Sequence, residues 1–369
     1  WLADQLQPDG TAYTIPFAFR LRGPLDRPAF EAAIREIVRR HETLRTTFAS
    51  GSEGPTQVAH PPETVSIEAI DLTSLPPGER EQAGWNTAER LMAAPFDLHQ
   101  GPLFRPTLIA LGPDDHVFVM VFHHIISDGW SIHVFFRELT AHYKALSAGG
   151  APSLPDLPIQ YRDFAAWHRA WAEGADAEPH VRYWRDSLAG APTALDLPTD
   201  RPRPPVRTFR AGQRTFDLSG ATEQALLTLS RAEQTTPFAA LLRAFGALLH
   251  RLSGQDDILI GAPYAGRGRP ETEGLIGFFV NTVVLRTRFD GRPSFRDLLG
   301  QMRTATREAH LHQDVPLGRV IAELKPPPDP SRTPLFQVFF NLLAFATNTF
   351  QLPGVAIEHR GGVPDEAKF

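Results

Sequence analysis

FHHIISDGWS, residues 122–131, is the stretch on which the reading of this 369-residue chain turns. It continues VFVMVF, residues 117–122, an unbroken apolar run of the kind that forms a strand buried on both faces. Two histidines close that strand, and on extended backbone adjacent side chains point to opposite faces. His123 and His124 therefore cannot enter one site together without a sharp bend. That weakens a shared-metal reading and favours divided labour, with one imidazole packed inward and the other facing a cleft. Asp128 stands with Ser127 as a candidate N-cap for a helix over 130–143, where its carboxylate would accept backbone N–H bonds and hold the loop. Gly129 would let the backbone approach a substrate or adopt a dihedral barred to other residues. Taken bare, HHxxxDG also fits a buried histidine pair followed by a capping aspartate.

Outward from this stretch, helical and extended patterns alternate. Residues 13–22 (YTIPFAFRLR) place Phe17, Phe19 and Leu21 on one face and read as a strand. Residues 26–41 carry Phe30, Ala33, Ile34, Ile37 and Val38 at helical spacing, with Arg39 and Arg40 at the negative end of the helix dipole. Strands are expected over 44–48, 258–262, 280–288 and 336–343 (FQVFFNLL), one or two helices over 222–252, and a helix over 295–311. Proline-rich connectors at 151–158, 192–205 and 325–334 cannot continue a helix. The class is α/β (α+β), with two similar layered lobes expected at 1–152 and 153–369 and an arginine-rich crossing segment at 192–210.

Composition excludes several alternatives. A net charge of -5 gives no basic face for nucleic acid or anionic membrane. No apolar run reaches the ~18 residues of a spanning helix, and residues 1–8 lack the basic and apolar regions of a signal peptide. The absence of cysteine rules out thiol nucleophiles and disulfides and is compatible with the cytoplasm, the expected location. No GxxxxGK[ST] phosphate cradle is present. His310 and His312 do not share a helix face and read as packing residues, as do His41, Trp167, Trp171, Trp184, Tyr161 and Tyr183. Arg201, Arg203, Arg207 and Arg210 read as a solvated linker face, and Arg267 and Arg269 as an electrostatic edge at most.

Seven segments in order resemble the signatures of the condensation domains of nonribosomal peptide synthetases. FHHIISDGWS is similar to the central motif and RHETLRTTF (40–48) to the second, while Trp1, Leu2 and the Asp4-Gln5-Leu6 that follows match the tail of the first. YRDFAAW (161–167), IGFFVNT (276–282), HQDVPL (312–317) and DPSRTPLFQV (329–338) resemble the remaining four, with Leu317 where the family usually has Phe. The resemblance implies two chloramphenicol-acetyltransferase-like lobes in a V around a tunnel open to a donor and an acceptor carrier protein. It implies that His124 is the catalytic histidine, that His123 and Asp128 hold the loop, and that Arg45 is the counter-ion of Asp128. Gly129 would lie beside the reacting groups, with Trp130, Ser131, Asn281 and Thr282 lining the substrate tunnel. The implied reaction is attack of an acceptor α-amine on a donor thioester. No cofactor or metal is then needed by the domain itself, since substrates arrive on the phosphopantetheine of carrier proteins and a neighbouring adenylation domain supplies activation. An epimerization domain and a catalytically silent recruitment domain share the fold and are the rival expectations. The family pattern extends past both ends of the sequence, so an incomplete second lobe is expected.

Overall fold

The computed structural model describes residues 1–5, 10–51, 54–291, 293–343 and 350–360; Leu6 of the first motif lies outside them. In chain order the elements are α1 (Leu2–Gln5), β1 (Thr14–Arg22), α2 (Arg27–Arg40), β2 (Thr46–Gly51), β3 (Gly54–Ala59), β4 (Glu68–Asp71), α3 (Pro77–Met92), β5 (Phe104–Gly112), β6 (Asp115–His123) and α4 (Gly129–Ser147). There follow α5 (Tyr161–Glu173), α6 (Glu178–Leu188), α7 (Gly220–Ala232), α8 (Pro237–Ser253), β7 (Asp257–Tyr264), α9 (Pro270–Glu273), β8 (Asn281–Arg288), α10 (Phe295–Leu311), α11 (Leu317–Leu324) and β9 (Ala356–His359). The class is mixed α/β.

Two compact units divide the chain, and they are not contiguous. The first holds Trp1–Ala166 and Arg267–Phe279 together with the described residues 350–360. The second holds Trp167–Gly266 and the described residues 280–343. This departs from the expected division at 152/153. The segment that returns to the first unit is Arg267–Phe279, whereas 192–210 stays wholly within the second, where the Arg207 N–H donates to Pro330 O.

The first unit is built on a five-stranded sheet in the order β4-β5-β6-β1-β9, antiparallel except for the β4–β5 pair. Its long strands explain the apolar run at 117–122: β6 lies between β5 and β1, and Val117–Phe122 are all buried. Phe118 meets Phe30 of α2 edge-on at 4.9 Å, and Phe122 meets Phe135 of α4 edge-on at 5.6 Å, so the two helices close over the strand. Phe104 stacks on Phe122 at 4.5 Å from the neighbouring strand. The register pairs Thr14 of β1 with His123, which puts the histidine pair at the end of the β1–β6 ladder.

The second unit carries the antiparallel pair β7–β8 against α8 and α10. Its core includes Trp184, Leu242, Ile258, Ile260, Val284 and Phe336, and Trp171 and Tyr183 pack against it. The strand expected over 336–343 is not a regular one. The segment contacts β7 through a single bridge, with Gly261 N–H donating to Val338 O and Phe340 N–H donating to Gly261 O. Beside that bridge the Phe336 ring packs where a side chain at Gly261 would stand. The strand expected at 44–48 likewise begins with a 3-10 turn, Glu42–Arg45, before β2.

Candidate active site

β6 ends at His123, and the backbone then tightens into a 3-10 turn, His124–Ile126, before Asp128 caps α4. That turn is the bend needed to separate two adjacent histidines. His123 is buried, and its Nδ1 accepts the Ile125 N–H at 3.0 Å. A nitrogen that accepts a backbone N–H carries no proton, so the ring proton sits on Nε2, which faces Asp4 Oδ1 at 3.3 Å. Burial pushes the Asp4 carboxyl above its ordinary value. His124 is half-buried; its N–H donates to Tyr13 O, and its ring meets Phe278 edge-on at 5.3 Å. Phe278 itself is 39% exposed.

Asp128 is 2% exposed and fully engaged. Oδ1 accepts the Ser131 N–H (2.8 Å) and Arg267 Nη2 (3.2 Å), and Oδ2 accepts the Phe279 N–H (2.9 Å). The Ser131 hydroxyl lies 2.8 Å from Asp128 Oδ1 and 2.7 Å from Gly277 O, either of which can take its proton. The same oxygen accepts from Arg267 Nη2 (2.9 Å) and Gly277 N–H (3.0 Å). Arg267 also donates to Thr272 O and Leu275 O, and its guanidinium lies 4.0 Å from the Phe279 ring centre. Burial pulls Arg267 below its ordinary value, and Asp128 partly restores it.

The counter-ion expected for Asp128 is therefore corrected. Arg45 sits on the Glu42–Arg45 turn, where its guanidinium is bonded to His60 O and lies 3.8 Å from Glu42 Oε1. Arg267 takes that place. Sequence reading missed it because the partners stand 139 residues apart and no local periodicity joins them. Ser131 is fully buried and braces Asp128 and Gly277 instead of presenting a lining surface. Trp130 donates its indole N–H to Glu273 O at 2.9 Å. Gly129 is the first residue of α4 and is exposed; its helical backbone needs no dihedral special to glycine.

Asn281 and Thr282 open β8 in the second unit. The Asn281 amide donates to Gln313 O (2.7 Å) and Val315 O (2.6 Å) and accepts the N–H groups of Thr282 and Leu317. It braces the 313–317 turn with every bond its side chain can make, so a tunnel-lining role has no free donor to use. Thr282 pairs with Pro263 across the β7–β8 ladder. His312 stacks on Tyr183 at 4.0 Å and meets His180 Nδ1 at 2.9 Å, whereas His310 bonds Gln313. Among the described residues no group of three or more His, Asp or Glu is placed to hold a metal ion, and no helix is long and apolar enough to cross a membrane.

A family model described as Condensation domain matches residues 1–359. The chain is 44% identical over its whole length to a linear gramicidin synthase of Brevibacillus parabrevis, of which it covers 5%. It is 42% identical, again over its whole length, to phosphinothricin tripeptide synthetase PhsB of Streptomyces viridochromogenes, of which it covers 31%. The chain thus spans under a third of either of these relatives. Among solved structures, the X-domain in a complex of the X-domain and OxyB from teicoplanin biosynthesis superposes with a TM-score of 0.85 at 30% identity, over all of this chain and 80% of that one.

Proposed function

The chain belongs to the condensation-domain family, and from that premise we propose that it joins two carrier-tethered groups through an amide bond. The α-amine of an acceptor aminoacyl group attacks the carbonyl carbon of a donor acyl or peptidyl thioester. One C–N bond forms, the C–S bond breaks, the donor carrier's thiol leaves, and the amine gives up one proton. A thioester is already activated, so the domain needs no nucleotide, metal or cofactor of its own. The substrates arrive on the phosphopantetheine of a donor and an acceptor carrier protein, with an adenylation domain upstream of each loading step. Multidomain synthetases among the relatives support those partners.

The observation that carries this reading is the division between the two histidines. His123 and Asp128 are buried and committed to the turn, while His124 is half-buried in the turn that follows β6. His124 is the residue assigned to the reacting amine. About a tenth of an α-amine with its usual pKa near 7.7–8.0 is already neutral around pH 7, so full deprotonation is not the main barrier. Alignment of two tethered reactants supplies effective molarities of ~10⁵ M or more. Proton removal or hydrogen bonding by His124 adds a factor of about 10²–10⁴. Positioning, with assistance in proton transfer, is the role that fits these magnitudes.

A second reading is favoured by one observation: the X-domain neighbour is found in complex with OxyB, which fits a recruitment role on the same fold. Both histidines of HHxxxDG are intact here, which weighs against a silent domain. The deciding experiment is a single-turnover assay with a loaded donor carrier and an aminoacyl acceptor carrier, read by intact-protein mass spectrometry. Dipeptidyl-carrier product that collapses in His124→Ala is the expected result. Exchange of the α-proton without product points to epimerization, and carrier binding with neither activity points to recruitment.

A further inference from the structure

His41 lies outside the reacting centre yet is tied to it by a short chain of bonds. Its imidazole is 1% exposed, with Nε2 2.9 Å from Glu138 Oε2 and Nδ1 3.3 Å from the Ile276 N–H. A backbone N–H only donates, so Nδ1 must present its lone pair and the ring proton must sit on Nε2, donating to Glu138. Glu138, equally buried, accepts Arg40 Nε at 3.1 Å on its other oxygen, and Arg40 also donates to Pro155 O. Burial alone raises the Glu138 carboxyl, but the His41 hydrogen bond and the Arg40 guanidinium hold it below its ordinary value. The acceptor for Ile276 is thus fixed in tautomer and in direction by an anion on the opposite side of the ring.

Ile276 begins the stretch that reaches the site. Gly277 N–H is held by Ser131 Oγ, Phe279 N–H by Asp128 Oδ2, and Phe278 O by the Tyr161 hydroxyl at 2.8 Å. Between these anchors the Phe278 ring lies against His124. We propose that His41 is a positioning residue for the condensation reaction: by fixing Ile276 it sets where Phe278 and Phe279 meet His124 and Asp128. This rests on the function proposed above, and the test separates the two claims.

Two substitutions in the full chain each keep one half of the His41 bonding. In His41→Asn the side-chain oxygen falls near the place of Nδ1 and can accept from Ile276, while the Glu138 bond is lost. In His41→Gln the amide reaches the place of Nε2 and can donate to Glu138, while Ile276 loses its acceptor. Amide exchange over 276–279 is followed by hydrogen–deuterium exchange, and single-turnover rates are measured across acceptor concentrations. The expected result for His41→Gln is exchange faster by about tenfold and a maximal rate lower by about tenfold, the size of one hydrogen bond, with the acceptor KM little changed. His41→Asn is expected to stay close to wild type in both. Equal behaviour of the two variants, or unchanged exchange over 276–279 in His41→Gln, overturns the proposal and leaves His41 a packing residue. If wild type forms no dipeptide, the function fails while the exchange result still decides the positioning claim. Imidazole ¹⁵N spectra of the wild type need no variant to fold: a His41 proton on Nδ1 also overturns it.

Discussion

Asp128 collects a guanidinium, two backbone N–H groups and a hydroxyl around one carboxylate that is closed to water. A capping aspartate at the start of α4 was legible from DG before an amphipathic run, because capping is a local affair. Its cation was not, because Arg267 is brought in by the tertiary path of the chain. Removing one member of a buried pair strands the other, at a cost of about 3–5 kcal/mol. Arg267→Met is therefore expected to lower the unfolding free energy by that order in urea titrations. Arg267→Lys is expected to lose most of it too, since one ammonium cannot serve Thr272 O, Leu275 O, Ser131 and Asp128 together. A second residue-scale effect concerns His142 on α4, which is buried with neither ring nitrogen hydrogen-bonded among the described residues. Burial lowers its pKa, opposed by Glu138 and Glu36 and reinforced by Arg40 and Arg39. With the folded value below the unfolded one, near 6.5 for histidine, the unfolded chain binds the proton first as pH falls. Stability is then full above about pH 6.5 and declines on acidification, with a slope of at most ~1.4 kcal/mol per pH unit for this proton. His142→Leu is expected to lose less stability than wild type between pH 7.5 and 5.5 in paired urea titrations; parallel losses would show that His142 does not titrate across folding.

Strand β6, the turn after it and α4 were readable as a unit, since an apolar run, a pair of polar residues and a helical period follow one another without interruption. The segment 336–343 was apolar enough to read as a strand, but strand pairing needs a partner edge, and here β7 gives it a single bridge at Gly261. Periodicity reports what an element would bury, not which neighbour is available. The same limit hid the role of IGFFVNT, whose first half carries the backbone donors for His41, Ser131 and Asp128. Gly277 is the element's tightest point: a Cβ there would fall 2.2 Å from Tyr161 Cδ2 and 2.9 Å from Phe279. Gly277→Ala must therefore displace Tyr161 or the segment, at a cost of about 1–3 kcal/mol, and is expected to reduce condensation more than binding of a carrier. Tyr161→Phe keeps the ring and removes only the hydroxyl bond to Phe278 O, so its expected loss is about 1 kcal/mol. Chemical denaturation alongside the single-turnover assay tests both, and a Gly277→Ala protein as stable and active as wild type would mean that the segment tolerates a different path.

At the scale of the molecule, the first unit is assembled from pieces that sequence order does not suggest. Proline-rich connectors mark where helices cannot continue, and from them 152/153 was the natural boundary and 192–210 the natural crossing. The contacts follow burial instead: Ile276, Phe350 and Leu352 belong to the core of the first unit, and β9 extends its sheet beside β1. Residues 1–166 alone would therefore keep Asp128 and His41 but lose Arg267, the Ile276, Gly277 and Phe279 N–H groups and the β9 edge. An unpaired carboxylate in a dry core and an uncovered apolar surface both oppose a unique fold. The expected behaviour of a 1–166 fragment is native-like far-ultraviolet circular dichroism with a broad, weakly cooperative melt and binding of a hydrophobic dye. A fragment in which 267–279 is restored through a flexible linker is expected to regain a sharper transition, since it returns the cation and the three backbone donors at once. A sharp melt in the bare 1–166 fragment would instead mean that the returning segment is an attachment to an independent core, and that its importance lies with the site alone.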